Sequence, residues 1–162
     1  MKAITIKQPW ASLIIEPDPA NPGFGIKPIE NRTWECPPKY IGKRVLIHAA
    51  TKKWGWIEVL NYLSEQCRVV LAKHGYDAQW LKTLPTGAII GSVEIVDCAI
   101  NNSSIWAERT IIRHKGSTLL IDSDKMYNWV LANPIKFPEP IPEKGKLSFW
   151  DYPNILAEHE HK

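Results

Sequence analysis

Apolar residues in this chain come in short runs, most of them alternating with polar ones, and this pattern restricts the fold more than any other feature. Ala3-Ile4-Thr5-Ile6-Lys7 alternates and stops at Gln8-Pro9, which reads as a first strand. Residues 30–34 read as a second strand, Val45–Ala49 as a buried third, and Ile89–Cys98 as the longest candidate. Gly91 inside that longest run implies a bulge or a close backbone approach. Trp129–Leu131 and Ile135–Phe137 read as short pieces split by Asn133-Pro134, and Gly145–Trp150 closes the series. Helical periodicity is confined to two places. Pro9 stands at the start of a short helix reaching Ile15, with Trp10, Leu13 and Ile14 on one face. Trp56, Leu60, Leu63, Cys67 and Val70 recur at three- and four-residue steps, so residues 53–73 read as one amphipathic helix capped by Thr51. Asp18 to Gly25 reads as a loop, residues 101–117 are weakly patterned, and Asp122-Ser123-Asp124 reads as a turn. Short strands with one or two inserted helices define an α+β fold built on a small closed β-sheet.

A chain of 162 residues, 44% hydrophobic and 23% charged, is one globular domain with a real core. The expected domain is 1–152, followed by a charged tail, 153–162, that holds His159 and His161. No apolar run approaches the ~20 residues of a membrane span, and Lys7, Gln8 and Pro9 interrupt residues 4–15 as a signal-peptide core, so the expectation is a cytoplasmic protein away from membranes. Cys36, Cys67 and Cys98 are an odd number, far apart and without metal-ligand spacing; they read as free thiols. Cys67 and Cys98 are expected in the core and Cys36, between Glu35 and Pro37, at the surface. His48 ends a buried strand and reads as a core histidine that needs a partner. Neither a metal nor a cofactor is expected.

The chemistry concentrates in Gly25-Ile26-Lys27-Pro28-Ile29-Glu30-Asn31-Arg32-Thr33-Trp34. On a strand the period of two puts Glu30, Arg32 and Trp34 on one face. Lys27 precedes Pro28, which forces an extended or turn conformation and lets the amine reach the same place. Two cations around one carboxylate are costly to bury unless they pair with each other or with a ligand. One reading is a structural ion-pair cluster; the other is a polar pocket for an anionic or nucleotide-like ligand. The net charge of +3 supports the second weakly, because nine Lys/Arg stand against four Asp/Glu in residues 1–54. Lys7 and Gln8 sit at a strand-to-helix corner, where backbone donors attract anions. Most of the eight tryptophans must be core, leaving one or two near the cluster to stack on bases.

Gly25-x-Lys27-x-x-Glu30-x-Arg32 matches the G-x-K-x-x-E-x-R signature of the ASCH (activating signal cointegrator homology) family. Ile4–Ala11, Gly87–Glu94 and the run from Trp129 to Trp150 resemble the same family, so the resemblance spans nearly the whole chain. It implies a PUA-like small β-barrel with inserted helices. It further implies a cationic cleft that recognises a nucleotide or phosphate of RNA, another nucleic acid or a nucleotide-like ligand, formed by Lys27, Glu30 and Arg32 and lined by Lys7, Gln8 and Trp10. Trp10 or Trp34 would stack on a base. An enzyme stays open beside the binding module. A compact branch of the family is similar in fold and acts as an acetylcytidine amidohydrolase through lysine, threonine and glutamate. Its threonine follows the lysine by three positions, where this chain has Glu30. Ribonuclease activity is also associated with the family, and Lys27 and Glu30 would be the catalytic acid and base.

Overall fold

The computed structural model describes residues 1–121 and 125–153. The expected turn at Asp122–Asp124 and all but the first residue of the expected tail lie outside them. In chain order the elements are β1 (Lys2–Ile6), α1 (Trp10–Ile15), β2 (Pro17–Asp18), β3 (Asn21–Gly25) and β4 (Ile29–Arg32). A 3-10 turn at Pro38–Tyr40 leads to β5 (Arg44–Ala49), followed by α2 (Trp56–Tyr62), α3 (Glu65–Lys73) and α4 (Ala78–Thr83). The chain ends with β6 (Ala88–Ala99), β7 (Ile112–Lys115), β8 (Thr118–Ile121), β9 (Tyr127–Pro142) and β10 (Phe149–Asp151).

Six strands form one sheet in the order β10-β1-β5-β6-β9-β4; β1 and β5 run parallel and every other neighbour is antiparallel. Alternation along the strands sends side chains to two cores. Ile4, Ile6, Val45 and Ile47 face the larger, under α1 and the helices, while Ala3, Leu46 and Ile89 join Phe137, Trp150 and Tyr152 in the smaller. The sheet curls until its edges meet through side chains. Arg32 of β4 donates to the Thr5 carbonyl of β1 at 3.0 Å, and the Trp34 ring lies 6.1 Å from Phe149 of β10. The result is an α+β, PUA-like small barrel.

Four local expectations are corrected. Residues 18–25 pair as a hairpin of β2 with β3. The single helix over 53–73 is two, because the Ser64 hydroxyl accepts from the Cys67 amide and caps a new start after Leu63. Gly55, not Thr51, caps the first of them, and the Glu58 carboxylate accepts its amide at 3.2 Å. The break at Asn133-Pro134 is a bulge inside one long strand. Ala132 pairs with Glu94 and Ile135 with Ser92, so two residues stand opposite Val93, and Asn133 adopts φ 50°.

Gly91 behaves as its position implies. The register shifts beside it, and an added Cβ would lie 2.3 Å from the Ile135 carbonyl oxygen. Cys36, expected at the surface, is 2% exposed, while Cys98 is only half-buried and its sulfur accepts the Cys36 amide at 3.4 Å. His48 is buried with Nε2 2.7 Å from the Glu143 carbonyl, and its Nδ1 has no hydrogen-bond partner among the described residues. Among the described residues, no helix is long and apolar enough to cross a membrane.

Candidate nucleic-acid interface

Backbone geometry at the end of α1 sets the position of the charged stretch. The Ile26 amide donates to Glu16 and the Lys27 amide to Leu13, both carbonyls at the C-terminal end of α1. The approach is close enough that a Cβ on Gly25 would sit 2.1 Å from the Ile14 carbonyl oxygen. Glycine is therefore required there by space. Lys27 comes out of this junction with its side chain buried beside the Trp10 ring, and Glu30 and Arg32 follow on one face of β4.

The three charged groups converge. Arg32 Nε donates to Glu30 Oε2 at 2.9 Å while its Nη2 holds the Thr5 carbonyl. Lys27 Nζ donates to the Ile29 carbonyl and lies 3.9 Å from Glu30 Oε1. Burial is graded: Lys27 is 3% exposed, Glu30 8%, and the Arg32 side chain 24%, so the guanidinium is the member presented to solvent. Burial pulls the Lys27 amine below the ordinary lysine value, and the Glu30 carboxylate opposes that pull without cancelling it. The amine also sits 5.6 Å from the Trp10 ring centre.

These groups form one wall of a cleft of about 330 Å³, at the lower end of the size range of small-ligand pockets, about 300–1,000 Å³. Aromatic rings line the cleft beside them. Trp10, Trp54 and Tyr62 pack edge to face or tilted, with ring centres 5.1, 5.3 and 5.1 Å apart around the triangle. The Trp54 amide is tied to the Gln8 carbonyl at 2.9 Å, which fixes that loop against the start of α1. Tyr62 donates its hydroxyl to Glu108, and burial followed by this carboxylate pushes its pKa upward. Asn31, Asn128 and Glu108 form a polar brace beside the cleft: Asn31 Oδ1 accepts the Glu108 amide at 3.0 Å and Asn128 Nδ2 at 2.9 Å.

Of the residues singled out in the sequence, Lys7, Trp10, Lys27, Glu30 and Arg32 line this cleft. Two do not. Gln8 is fully buried, its amide nitrogen donating to Pro85 and its oxygen accepting from Ser12, because it braces the first turn of α1. Trp34 falls past the end of β4 and leaves the Glu30–Arg32 face; it packs edge-on against Trp129 at 4.8 Å. Trp54, Tyr62 and Glu108 were missed. The two aromatics come from an insertion whose register only the folded chain defines, and Glu108 lies in a stretch without periodicity.

The charges of the lining are nearly balanced, with Lys7, Lys27 and Arg32 against Glu30 and Glu108. Among the described residues, no group of three or more His, Cys, Asp or Glu is placed to hold a metal ion.

The ASCH domain model matches residues 4–141. Activating signal cointegrator 1 of Homo sapiens is 26% identical to this chain over 147 residues, and that of Mus musculus 25% over 147 residues. Each alignment covers 91% of this chain and 21% of the relative. The chain therefore spans about a fifth of the length of the curated relatives it matches.

Proposed function

Because the chain belongs to the ASCH domain family, we propose that it binds nucleic acid, RNA first of all, by taking one nucleotide into the cleft between Arg32 and the ring wall. The observation that carries this reading is the preset guanidinium. Glu30 and the Thr5 carbonyl hold Arg32 by Nε and Nη2, which leaves Nη1 without a partner among the described residues, on a side chain that lines the aromatic-walled cleft and keeps 24% of its surface exposed. A phosphate or a base edge meeting that donor finds it already oriented, so little side-chain entropy is lost on binding. The outer faces of Trp54 and Tyr62 offer stacking surface, worth about 1–3 kcal/mol per base in single-strand binders. Lys7, exposed at the mouth, adds long-range attraction.

Anisotropy of a labelled single-stranded RNA tests it. Affinity should fall with salt at a slope of about −0.7 per neutralised phosphate, and Arg32→Ala should weaken binding at least tenfold. Binding that ignores both salt and Arg32 sinks the proposal.

A hydrolase is the second reading, and what favours it is a buried amine 3.9 Å from the Glu30 carboxylate in a cleft, with burial shifting the amine down from the ordinary lysine value, towards the range of a general base. Glu30 occupies the place of the amidohydrolase threonine and has no hydroxyl to activate, and Thr33 lies beyond the end of β4. Incubation with RNA and with acetylated cytidine separates the readings. Product that disappears in Lys27→Ala and Glu30→Gln favours the enzyme; no turnover leaves the binding module.

A further inference from the structure

A second concentration of positive charge lies at the far end of β1. Lys2 opens that strand and Lys7 follows it, five positions on, which at about 3.3 Å per residue is roughly 16 Å. Around Lys2 the surface dips into a hollow of about 390 Å³ whose walls include Lys39, Tyr40, Lys43 and Arg44 and no carboxylate. Two of its four side-chain cations are matched from outside: Lys2 by Asp151 at 2.9 Å and Arg44 by Glu94 at 3.2 Å. Lys39 and Lys43 are exposed, and neither has an acidic partner among the described residues. Lys39 instead holds its amine 5.1 Å from the centre of the Tyr40 ring. Here unmatched lysines flank an aromatic ring in a concavity.

The hollow is joined to the cleft. Tyr40 packs on Phe149 with ring centres 4.1 Å apart, Phe149 lies 6.1 Å from Trp34, and Trp34 follows Arg32 by two residues. All three rings are half-buried. A packed seam of half-buried rings thus runs from the strand of the cleft guanidinium to the lysines at the hollow. It fixes the two groups of cations on one rigid surface, and cations spaced along such a surface are what tracks a single-strand backbone.

We propose that the hollow formed by Lys39, Tyr40 and Lys43 is a second phosphate-binding site, holding the backbone of the same single-stranded RNA whose nucleotide enters the cleft. The link between the two sites rests on the cleft reading, but the hollow can be tested apart from it. The lysines neutralise phosphates, and the half-buried Tyr40 ring, packed on Phe149, holds the wall of the hollow between them.

The experiment uses the full chain, a fluorescein-labelled 12-nucleotide RNA of mixed sequence, and the four nucleoside monophosphates. Lys39→Ala/Lys43→Ala should weaken the 12-mer on the order of tenfold near 0.1 M salt and make the salt slope shallower by about 1.4, two phosphates' worth. Mononucleotide affinity and the melting midpoint should not change, and Lys39→Arg/Lys43→Arg should restore the slope. An unchanged slope in the alanine pair overturns the proposal. So does a pair that still binds RNA fully but loses binding to vesicles of 30% phosphatidylserine in phosphatidylcholine, because the hollow would then face a lipid surface. Arg32→Ala distinguishes the two sites. If it abolishes mononucleotide binding while the lysine pair has no effect on the 12-mer, the cleft stands and the hollow fails. If it changes neither ligand while the lysine pair weakens the 12-mer, the hollow stands and the cleft reading fails.

Discussion

The cleft and the hollow around Tyr40 both gather lysine and arginine, and they do so in opposite ways. In the cleft the central cations are held: Arg32 by Glu30 and a backbone carbonyl, Lys27 by the Ile29 carbonyl under 3% exposure. In the hollow Lys39 and Lys43 are exposed, without an acid to hold them among the described residues. A held donor has lost its freedom before any ligand arrives, so it discriminates by geometry. A free one attracts at a distance, and salt screens that attraction beyond a Debye length of about 8 Å in physiological conditions. The two regions therefore divide recognition into what is bound and how fast and how tightly a polyanion arrives. Substitutions in the first should change stability and ligand choice together; in the second they should change polyanion affinity and its salt dependence while leaving stability and ligand choice alone.

The hardest way to break that contrast is Gly25→Ala. The added Cβ would meet a backbone carbonyl at 2.1 Å, which cannot swing aside as a side chain would. We expect a loss of about 3 kcal/mol or more, seen as a lower urea midpoint at unchanged slope, with binding lost because Lys27 and β4 move. Lys43→Ala should stay within ~0.5 kcal/mol of wild type. An alanine tolerated at 25 would mean that the cleft is not rigidly set. Next comes Arg32→Ala, which leaves the largely buried Glu30 with only the Lys27 amine, at 3.9 Å, among the described residues. The expected cost is about 1.5–3 kcal/mol. Arg32→Lys should recover part of it, since an ammonium cannot serve Glu30 and Thr5 at once through a planar fork.

How much of this was legible in the sequence follows the same divide. Strands with strict alternation were readable because one face is core, and the signature was readable because its spacing is covalent. Glu30 and Arg32 needed only a period of two to share a face. Trp34 obeyed the same period on paper, yet β4 ends at Arg32, and past a strand's end the alternation no longer applies. Gln8 reads as a polar corner residue, but its two ends find Pro85 and Ser12, a partner 77 residues away that no local pattern announces. Cys36 beside a charged residue and two prolines looks exposed until tertiary packing covers it. The long helix failed at Ser64 because an apolar stripe does not register a capping hydroxyl within it. Glu108 was invisible for a simpler reason: it is placed by its backbone bond to Asn31 and not by any element of its own.

A smaller effect sharpens the claim that the cleft cations are held and desolvated. Burial lowers the pKa of Lys27 in the fold, whereas the unfolded chain keeps the ordinary value of 10.5. Between those two values the unfolded state binds the extra proton, so this group's contribution to stability rises with pH. The thiols of Cys36, Cys67 and Cys98 are shifted up, Cys36 to about 11, and pull the other way above pH 9. They cancel in a comparison of wild type with Lys27→Met. That difference should move in favour of wild type from pH 7 towards 10.5. A flat difference would show that the amine titrates as an exposed lysine does.

The smallest change tests the aromatic wall. Tyr62 is 40% exposed and gives its hydroxyl to Glu108, so Tyr62→Phe should cost only about 0.5–1 kcal/mol at neutral pH. Its pKa is raised above the ordinary 10.0, chiefly by burial and then by Glu108, so that contribution is complete below pH 10 and fades as pH climbs past it. The informative readout is ligand choice. Once the hydroxyl is gone, both Glu108 oxygens are open to amino groups of a base, and carboxylates accept readily from the cytosine amine. Preference among the four nucleoside monophosphates should therefore shift towards amino-bearing bases over uracil in Tyr62→Phe, while Lys43→Ala leaves the order alone. If the order stays fixed in both, Glu108 takes no part in reading the base, and the rings of the aromatic wall act only as a stacking surface.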